Sequence, residues 1–224
     1  MLTLYYWPGA SSIIPHITLE EIGVPYECKP VNLAMGEHKG EAYLKINPHG
    51  KIPALAIDRT VLTENVAIST YLARQFPDAK LLPQLPSDEG HCLSIMAWFA
   101  SAVHPTFAHI IRPQRFATDT NAQKNVQATA RQTFWEHCQE IDGLLSGKDW
   151  VMGTQYTAVD PYALFFYDLG SRIKLPMHDL ASYTAFNRRM LQRSAVRKVR
   201  EAEESSKTSA NAWDGPNYAQ PCQK

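Results

Sequence analysis

The pattern of apolar residues changes once along this chain of 224 residues, and the change falls at a proline-rich stretch. Before it, strand-like runs alternate with helix-like segments, whereas after it nearly every apolar pattern has the period of a helix. The stretch itself, PDAKLLPQLPSDEG, holds three prolines in fourteen residues, which is typical of an inter-domain linker. We predict an α/β domain over 1–77, a linker over 78–88, an all-helical domain over 89–205 and a polar tail over 206–224.

The first domain is predicted to have the element order β-α-β-α-β-β-α. A crossover helix between the first two strands should make them parallel, and a hairpin turn at Asp58-Arg59-Thr60 should add antiparallel strands. This is a small α/β layer of the thioredoxin type. The predicted strands are Leu2–Tyr6, Pro25–Leu33, Ile52–Ile57 and Val61–Leu62, and the predicted helices are Ser12–Gly23, Glu41–Ile46 and Glu64–Phe76.

The second domain is predicted to be an all-α bundle, because almost nothing beyond the linker has the alternation of a strand. Pro105 is expected to kink the first of its helices. The tail is polar and dotted with proline and glycine, so it forms no core of its own. The predicted helices are Gly90–Phe116, Asn121–Ser146, Asp160–Arg172, Leu180–Arg193 and Ser194–Ser205.

The overall charge and the cysteines exclude several classes of function. Lysine plus arginine equals aspartate plus glutamate, at 22 each, so no net field favours nucleic acid or an anionic membrane. The four cysteines lie far apart without a CxxC pair, which argues against structural zinc, a dithiol motif and a disulfide framework. No signal peptide or membrane span is predicted. We expect no metal and no permanently bound cofactor, a cytoplasmic setting, and a small molecule or protein as partner.

Two serines stand where the first strand gives way to a helix, in YWPGASS at positions 6–12. A helix N-terminus presents unpaired N–H groups and a positive dipole end, which stabilise a thiolate. A serine hydroxyl would donate a further hydrogen bond to that sulfur. The alternative is that Ser11 or Ser12 only caps the helix. Both roles are possible together only if one serine caps and the other points outward.

Two further segments carry candidate binding residues. The first is NPHGKIPAL, positions 47–55. A cis bond before Pro53 would turn the backbone of Ile52 outward, where an extended peptide can pair with it. The alternative is a trans proline at an edge strand. In LTENVAIS, positions 62–69, a helix N-terminus with Asn65 suits a carboxylate, and Glu64 suits an ammonium group. Helix capping by Thr63 or Asn65 is the alternative here.

Together these three segments describe a site for one tripeptide. An α-amino-acid head group, a peptide backbone clamp and a thiolate pocket match γ-glutamyl-cysteinyl-glycine, which is glutathione. Lys51 and either His38 or Lys39 are the candidates for its glycine carboxylate.

From residue 1 to about residue 205 the chain resembles the cytosolic glutathione transferases, most closely bacterial members related to the beta class. YYWPGASS with PHITLEEIG is similar to that group's opening strand, turn and helix, NPHGKIPAL to its cis-proline segment and LTENVAISTYLA to its γ-glutamyl-binding segment. TAVDPYALF resembles its helix-capping box, with Thr157 as N-cap and Asp160 three residues on. The resemblance implies a cis Pro53 and a homodimer.

The resemblance also implies roles for individual residues. Beta-class enzymes have a cysteine where this chain has Ser11, so mixed-disulfide chemistry is not expected and Ser11 is the first candidate donor to the thiolate. Ser12 and Tyr6 are the other candidates. The second substrate is expected between the domains. Arg112 and Arg115 either favour an anionic electrophile or face solvent. The tail residues Trp213–Tyr218 are expected near the mouth of the site. The candidate wall residues are Trp7, Met35, His104, Phe107 and Ile111; for Phe107 and Ile111 the alternative is a place in the bundle core.

The implied function is conjugation of the glutathione thiolate to small, largely hydrophobic electrophiles, a detoxifying reaction. Two alternatives use the same scaffold. One is a glutathione-dependent thiol transferase or reductase, which the serine at position 11 disfavours. The other is a non-catalytic protein that binds glutathione or a hydrophobic ligand.

Overall fold

The computed structural model describes the backbone of residues 1–209 and the side chains of residues 1–206. The predicted contacts of Trp213–Tyr218 lie outside the described residues. Within them, strands occupy only the first part of the chain, which we call the α/β half, and helices from Pro86 onward form the helical half. The strands are β1 Leu2–Tyr6, β2 Tyr26–Pro30, β3 Ala54–Ile57 and β4 Thr60–Thr63.

The α/β half is a four-stranded sheet in the order β2-β1-β3-β4. Strands β1 and β2 are parallel, and β3 pairs antiparallel with both β1 and β4. The predicted thioredoxin-type order and strand directions are therefore confirmed. Its helices are α1 Ile13–Ile22, α2 Glu41–Leu44 and α3 Asn65–Gln75.

Prolines shorten two of the predicted strands. Strand β2 ends at Pro30 rather than Leu33, and β3 begins at Ala54 rather than Ile52. A proline has no N–H to donate to a sheet ladder, so each strand is bounded by one; after Pro30 a single further backbone hydrogen bond joins the Val31 N–H to the Tyr6 carbonyl, at 2.8 Å. Helix α1 ends as predicted, because Gly23 takes the left-handed conformation with φ of 75° that favours glycine after a helix.

The helical half differs from the predicted bundle mainly at its first helix. Helix α4 begins at Pro86, inside the predicted linker, because proline suits the first helical turn and Asp88 and Glu89 favour the N-terminal dipole end. The further helices are α4 Pro86–Trp98, α5 His104–Ile111, α6 Thr120–Leu145, α7 Asp160–Arg172, α8 Ala181–Gln192 and α9 Ser194–Ser209. Helix α9 thus extends past the predicted end at Ser205.

The predicted helix Gly90–Phe116 is wrong at both ends, and a π-helical turn interrupts it just before Pro105, where a kink was predicted. A π-helical turn, Phe99–Val103, precedes Pro105, which cannot donate to the carbonyl of residue 101 and crowds it. Helix α5 ends before Pro113, whose ring disfavours the helical conformation at Arg112. Arg115 consequently lies in a separate 3-10 turn, Pro113–Arg115, and not on the helix that carries His104.

One contact of the predicted capping box before α7 is confirmed, but Thr157 is not the N-cap of the helix. The backbone N–H of Thr157 donates to Asp160 Oδ2 at 2.7 Å. The helix, however, begins at Asp160 itself, because residues 157–160 form a tight turn in which the Asp160 N–H bonds to the Thr157 carbonyl. Burial raises the pKa of Asp160 to about 7, opposed by the Val151 and Thr157 N–H groups.

Helix α1 joins the two halves. Its residues Ile13, Ile14 and Ile17 are buried in the core of the helical half, while Leu19 packs into the core under the sheet. Burial of each such side chain contributes roughly 1.5–3 kcal/mol. Glu21, near the end of the same helix, receives two hydrogen bonds from Arg193, at 2.6 and 2.8 Å. The turn that precedes α1 is therefore fixed relative to both halves.

Candidate functional site

The turn between β1 and α1 is closed by the side chain of Ser12. Its Oγ accepts a hydrogen bond from the Trp7 N–H and donates one to the Trp7 carbonyl, both at 3.1 Å. Ser12 is fully buried and makes no capping hydrogen bond to α1. A hydroxyl has a single proton, and that of Ser12 is committed to the backbone. Its role is therefore to hold the turn rather than to cap the helix.

Ser11 differs from its neighbour in having an uncommitted hydroxyl. No hydrogen bond involves its Oγ among the residues that the structure describes, and 8% of its surface is exposed. It directly precedes Ser12 and the first turn of α1, and its carbonyl accepts the Ile14 N–H at 3.2 Å. The side chain thus stands at the positive end of a ten-residue helix with its proton available.

The phenol of Tyr6 points away from this turn toward α9. Its oxygen lies 2.7 Å from Ser206 Oγ, and the Ser206 hydroxyl donates its own proton to the Ala202 carbonyl. Tyr6 is consequently the donor of that pair. Burial raises the pKa of Tyr6, with the Ser206 hydrogen bond opposing the rise. The ring also packs edge-on against His16, with centroids 5.4 Å apart.

Two residues of the helical half hold the turn from outside. The Gly9 N–H donates to Glu203 Oε2 at 2.9 Å, and the Gly9 carbonyl accepts a hydrogen bond from Arg172 Nη2 at 3.1 Å. Glu203 is buried and its other oxygen lies 3.2 Å from His16 Nδ1. Gly9 has a φ of 72°, which favours glycine. Sequence reasoning missed Glu203 and Arg172, since no local motif signals a contact across more than 160 positions.

The cis-proline segment has the conformation that the resemblance predicted. The Ile52–Pro53 bond is cis, and β3 starts at the next residue. The Lys51 carbonyl receives two donors, Tyr43 Oη and Asn47 Nδ2, each at 2.7 Å. These contacts fix the loop just before Ile52, whose backbone lies outside the β3–β4 ladder that begins at Ala54.

The candidate residues for a carboxylate lie close to this segment. Lys39 Nζ donates to the His49 carbonyl at 3.2 Å, and Gly50 sits so near the His38 carbonyl that an added Cβ would approach it to 2.6 Å. The Lys51 side chain is exposed. The structure therefore brings the backbone of residues 38–39 and 49–51 together at one edge of the α/β half.

The junction between β4 and α3 carries backbone strain at Glu64. This residue has φ of 69° and ψ of 127°, which a non-glycine residue rarely adopts, and strained residues cluster at functional sites. Its side chain is exposed and makes no capping hydrogen bond. Asn65 is buried, and its Oδ1 has no hydrogen-bond partner among the described residues. Capping by Thr63 or Asn65 is not seen, since Glu64 occupies the N-cap position.

The candidate wall residues for a second substrate fall into two groups. Trp7 and Phe107 are only 3% exposed, and the Phe107 ring packs on Phe134 with centroids 5.3 Å apart. Ile111 is partly buried against the same core, whereas Met35 is 79% exposed. His104 packs edge-on against Phe165 at 5.5 Å. Burial first, then the charges of Arg112 and Lys51, lower the pKa of His104 to about 4.

Sequence comparison decides the family. Residues 1–74 match the family model for the N-terminal domain of glutathione S-transferases. Glutathione S-transferase GstA of Escherichia coli O157:H7 is 31% identical over 205 residues, which cover 90% of this chain and 98% of that protein.

The chain belongs to the glutathione S-transferase family. Comparison of structures agrees with this. A Sulfitobacter glutathione transferase homologue with bound glutathione superposes with a TM-score of 0.86 at 30% identity, covering 90% of this chain and 98% of its own. The beta-class glutathione S-transferase of Sphingomonas chungbukensis gives a TM-score of 0.79 at 30% identity, with the same coverage. The family and its bacterial, beta-like relationship are thus as the sequence predicted.

Within this family framework, the candidate glutathione residues come from three junctions of the α/β half and from the 3-10 turn Glu37–Lys39, which holds His38 and Lys39. Ser11, Pro53 and Asn65 each lie where a strand begins or gives way to a helix. The helical half contributes His104 and the Gly9 contacts of Glu203 and Arg172. Among the described residues, no helix is long and apolar enough to cross a membrane.

Proposed function

We propose that this protein joins the sulfur of glutathione to small electrophiles, and that Ser11 donates a hydrogen bond to the reacting thiolate. The choice of Ser11 rests on one observation. Of the three candidate hydroxyls, those of Ser12 and Tyr6 donate their protons to Trp7 and Ser206, whereas the hydroxyl of Ser11 makes no hydrogen bond among the described residues.

The remaining glutathione contacts follow from the other two junctions. The γ-glutamyl head lies at the N-terminus of α3, with its carboxylate near Asn65 and its ammonium near Glu64. The cysteinyl backbone pairs with Ile52. The glycine carboxylate lies near Lys51 and either His38 or Lys39. Two observations support this proposal: the backbone of Glu64 is strained, and the unpartnered Oδ1 of Asn65 is an acceptor that suits the ammonium group of the head.

The Ser11 hydrogen bond and the N-terminus of α1 together provide enough free energy to ionise the thiol at neutral pH. A free thiol has a pKa of about 8.5, and lowering it by about two units requires roughly 2.7 kcal/mol of preferential stabilisation of the anion. A hydrogen bond to a charged group contributes about 1.5–3 kcal/mol and a helix N-terminus about 0.3–1 kcal/mol. These two terms suffice without a metal ion or a general base.

The reaction then needs only the thiolate and an activated carbon. The sulfur lone pair forms the S–C bond. In a displacement, the leaving group departs with the electron pair of the bond that breaks. In an addition, the resulting carbanion takes a proton from water. The electrophile lies between the two halves, where Met35 and the neutral imidazole of His104 form part of its surroundings, while Phe107 serves the core.

The biological setting belongs to the same proposal. A small electrophile that is conjugated in this way becomes more soluble, so a detoxifying role in the cytoplasm is the natural one. We also propose a homodimer, as the family resemblance implies.

The direct test is turnover with a panel of electrophiles at a fixed concentration of glutathione. Wild type should conjugate at least one of them, and Ser11→Ala should lower kcat/KM by about 10- to 100-fold, as expected for loss of one charge-assisted hydrogen bond. Glutathione binding measured by calorimetry without turnover on any electrophile would favour the non-catalytic alternative instead.

A second variant separates conjugation from disulfide exchange. Wild type should not reduce hydroxyethyl disulfide, because a serine cannot form the mixed disulfide with glutathione. Ser11→Cys should acquire that activity, since it installs a thiol at the positive end of α1. Disulfide exchange by the wild-type protein would instead support the thiol transferase alternative.

A further inference from the structure

The carbonyl of Lys51 receives two side-chain donors from one short segment of the chain. Tyr43 Oη and Asn47 Nδ2 each donate to it at 2.7 Å. Both donors are buried, at 5% and 1% exposure, so neither side chain is at liberty to turn toward solvent. Two buried side chains that bond to the same loop carbonyl fix the direction in which that carbonyl points.

The two donors are themselves held in one orientation. Asn47 Oδ1 accepts the His49 N–H at 3.1 Å, which directs the amide nitrogen of Asn47 toward Lys51. The Tyr43 ring packs edge-on against Tyr5 of β1, with centroids 5.9 Å apart. Burial raises the pKa of Tyr43 to about 12, so its phenol keeps the proton that it donates. The pair is therefore anchored both to the loop and to the sheet.

The peptide unit that follows Lys51 transmits this constraint to Ile52. The Lys51–Ile52 bond is trans, and in a planar trans unit the C=O and the N–H point in opposite directions. Fixing the Lys51 carbonyl therefore aims the Ile52 N–H away from Tyr43 and Asn47. Hydrogen bonds to the carbonyl also polarise the amide and strengthen its N–H as a donor.

The Ile52 N–H has the properties of a donor prepared for a ligand. It makes no hydrogen bond with any residue that the structure describes, and Ile52 itself is only partly buried. It lies outside the β3–β4 ladder, which begins at Ala54. Within the proposed site, this N–H faces the cysteinyl backbone of glutathione, whose acceptor is the cysteinyl carbonyl.

We infer that Tyr43 and Asn47 are positioning residues for glutathione: through the Lys51 carbonyl they aim the Ile52 N–H at the cysteinyl carbonyl of the tripeptide. This inference rests on the proposed function and adds to it the residues that prepare one of its contacts. Neither side chain touches glutathione. Their effect is on affinity for the tripeptide, whereas the ionisation of its thiol depends on Ser11.

Variants that remove the donors test the inference. Tyr43→Phe keeps the ring that packs on Tyr5, and its Kd for glutathione, measured by calorimetry, should rise about fivefold, the effect of one hydrogen bond. The double variant Tyr43→Phe/Asn47→Ala should raise the Kd by about tenfold or more. In both variants kcat at saturating glutathione should stay within about twofold of wild type, because Ser11 is unchanged.

A matched control separates positioning from a general loss of stability. The phenol of Tyr183, in the helical half, also donates to a buried backbone carbonyl, that of Ala163. Tyr183→Phe removes a hydrogen bond of the same kind, so thermal unfolding should show a loss of stability at least as large as in Tyr43→Phe. Its Kd for glutathione should nevertheless equal that of wild type. An equal rise in Kd in both variants would overturn the inference.

Two shortened ligands identify the contact that is affected. γ-Glutamylcysteinamide lacks the glycine but keeps the cysteinyl carbonyl, whereas γ-glutamylcysteamine lacks both. Tyr43→Phe should weaken binding of the first ligand as much as that of glutathione and should leave binding of the second unchanged. An effect through the Lys51 side chain and the glycine carboxylate would instead disappear with both shortened ligands.

The outcomes separate this inference from the proposed function. If wild type binds glutathione, an unchanged Kd in folded Tyr43→Phe, or a loss that is equal for the two shortened ligands, would overturn the positioning role and leave glutathione transfer standing. A wild-type protein that binds no glutathione would overturn the proposed function and the positioning role with it. Tyr43→Phe decides alone if the double variant does not fold.

Discussion

The two strand–helix junctions of the α/β half are built on different supports, although each presents polar groups at a helix N-terminus. The β1–α1 turn is held by Glu203 and Arg172, which lie in the helical half and contact the backbone of Gly9. The β4–α3 junction carries strain at Glu64, and the helical half reaches it through the side chain of Tyr162 on α7, which hydrogen-bonds Asn65. The helical half therefore holds the thiolate end of the proposed site at its backbone, whereas it contacts the γ-glutamyl end at a side chain.

The largest effect should come from removing the distant support of the first junction. Glu203→Ala leaves the partly buried Gly9 N–H and the buried His16 without their acceptor, so the free energy of unfolding should fall by about 3 kcal/mol and conjugation should weaken with it. Urea unfolding monitored by tryptophan fluorescence measures the first effect. Glu201→Ala, an exposed carboxylate on the same helix, is the control and should change stability by less than about 0.5 kcal/mol.

A loss of stability in Glu203→Ala no larger than that of the control would contradict the comparison. It would mean that the β1–α1 turn stands without the helical half.

The next effect should distinguish the adjacent serines. Ser12→Ala removes two hydrogen bonds to the buried backbone of Trp7 and should lower the free energy of unfolding by about 2 kcal/mol. Ser11→Ala breaks no hydrogen bond within the described chain and should change it by less than about 0.5 kcal/mol. Chemical unfolding of the two variants side by side makes the measurement, and equal losses of stability would contradict the division of roles between them.

The smallest effect should appear at the second junction. Glu64→Gly relieves a positive φ and should raise the free energy of unfolding by about 1 kcal/mol, while the KM for glutathione rises because the partner of the ammonium group is lost. Lys80→Gly is the matched control, since Lys80 has φ of 50° at a site remote from the proposed contacts. It should gain similar stability with an unchanged KM.

An unchanged KM in Glu64→Gly would remove Glu64 from glutathione binding. An increase in stability confined to Lys80→Gly would show that the backbone at Glu64 is not a source of strain.

Local sequence patterns were enough to predict most of the fold. Strand alternation, helical periodicity and turn residues predicted the element order, the strand directions and the all-helical second half, because these features depend on neighbours in sequence. The errors lie where prolines set the ends of helices, as in the early start of α4 at Pro86 and the end of α5 before Pro113.

The site was predictable to the extent that it lies on strand–helix junctions. Ser11, Pro53 and Asn65 were named as candidates because each stands in a short, recognisable segment. Glu203 was not, because its contact with Gly9 spans 194 positions and only the packing of α9 on α1 creates it. The choice between Ser11 and Ser12 likewise needed the structure, since their difference lies in hydrogen bonds to Trp7 and not in residue type.

The most direct test of the central claim is the pKa of the glutathione thiol when bound. Ultraviolet titration of the thiolate should give a value about two units below that of the free thiol in wild type and in Ser12→Ala, provided that the latter is folded. In Ser11→Ala the bound pKa should rise by about one to two units, the equivalent of one charge-assisted hydrogen bond. A bound pKa that is the same in Ser11→Ala as in wild type would contradict the account.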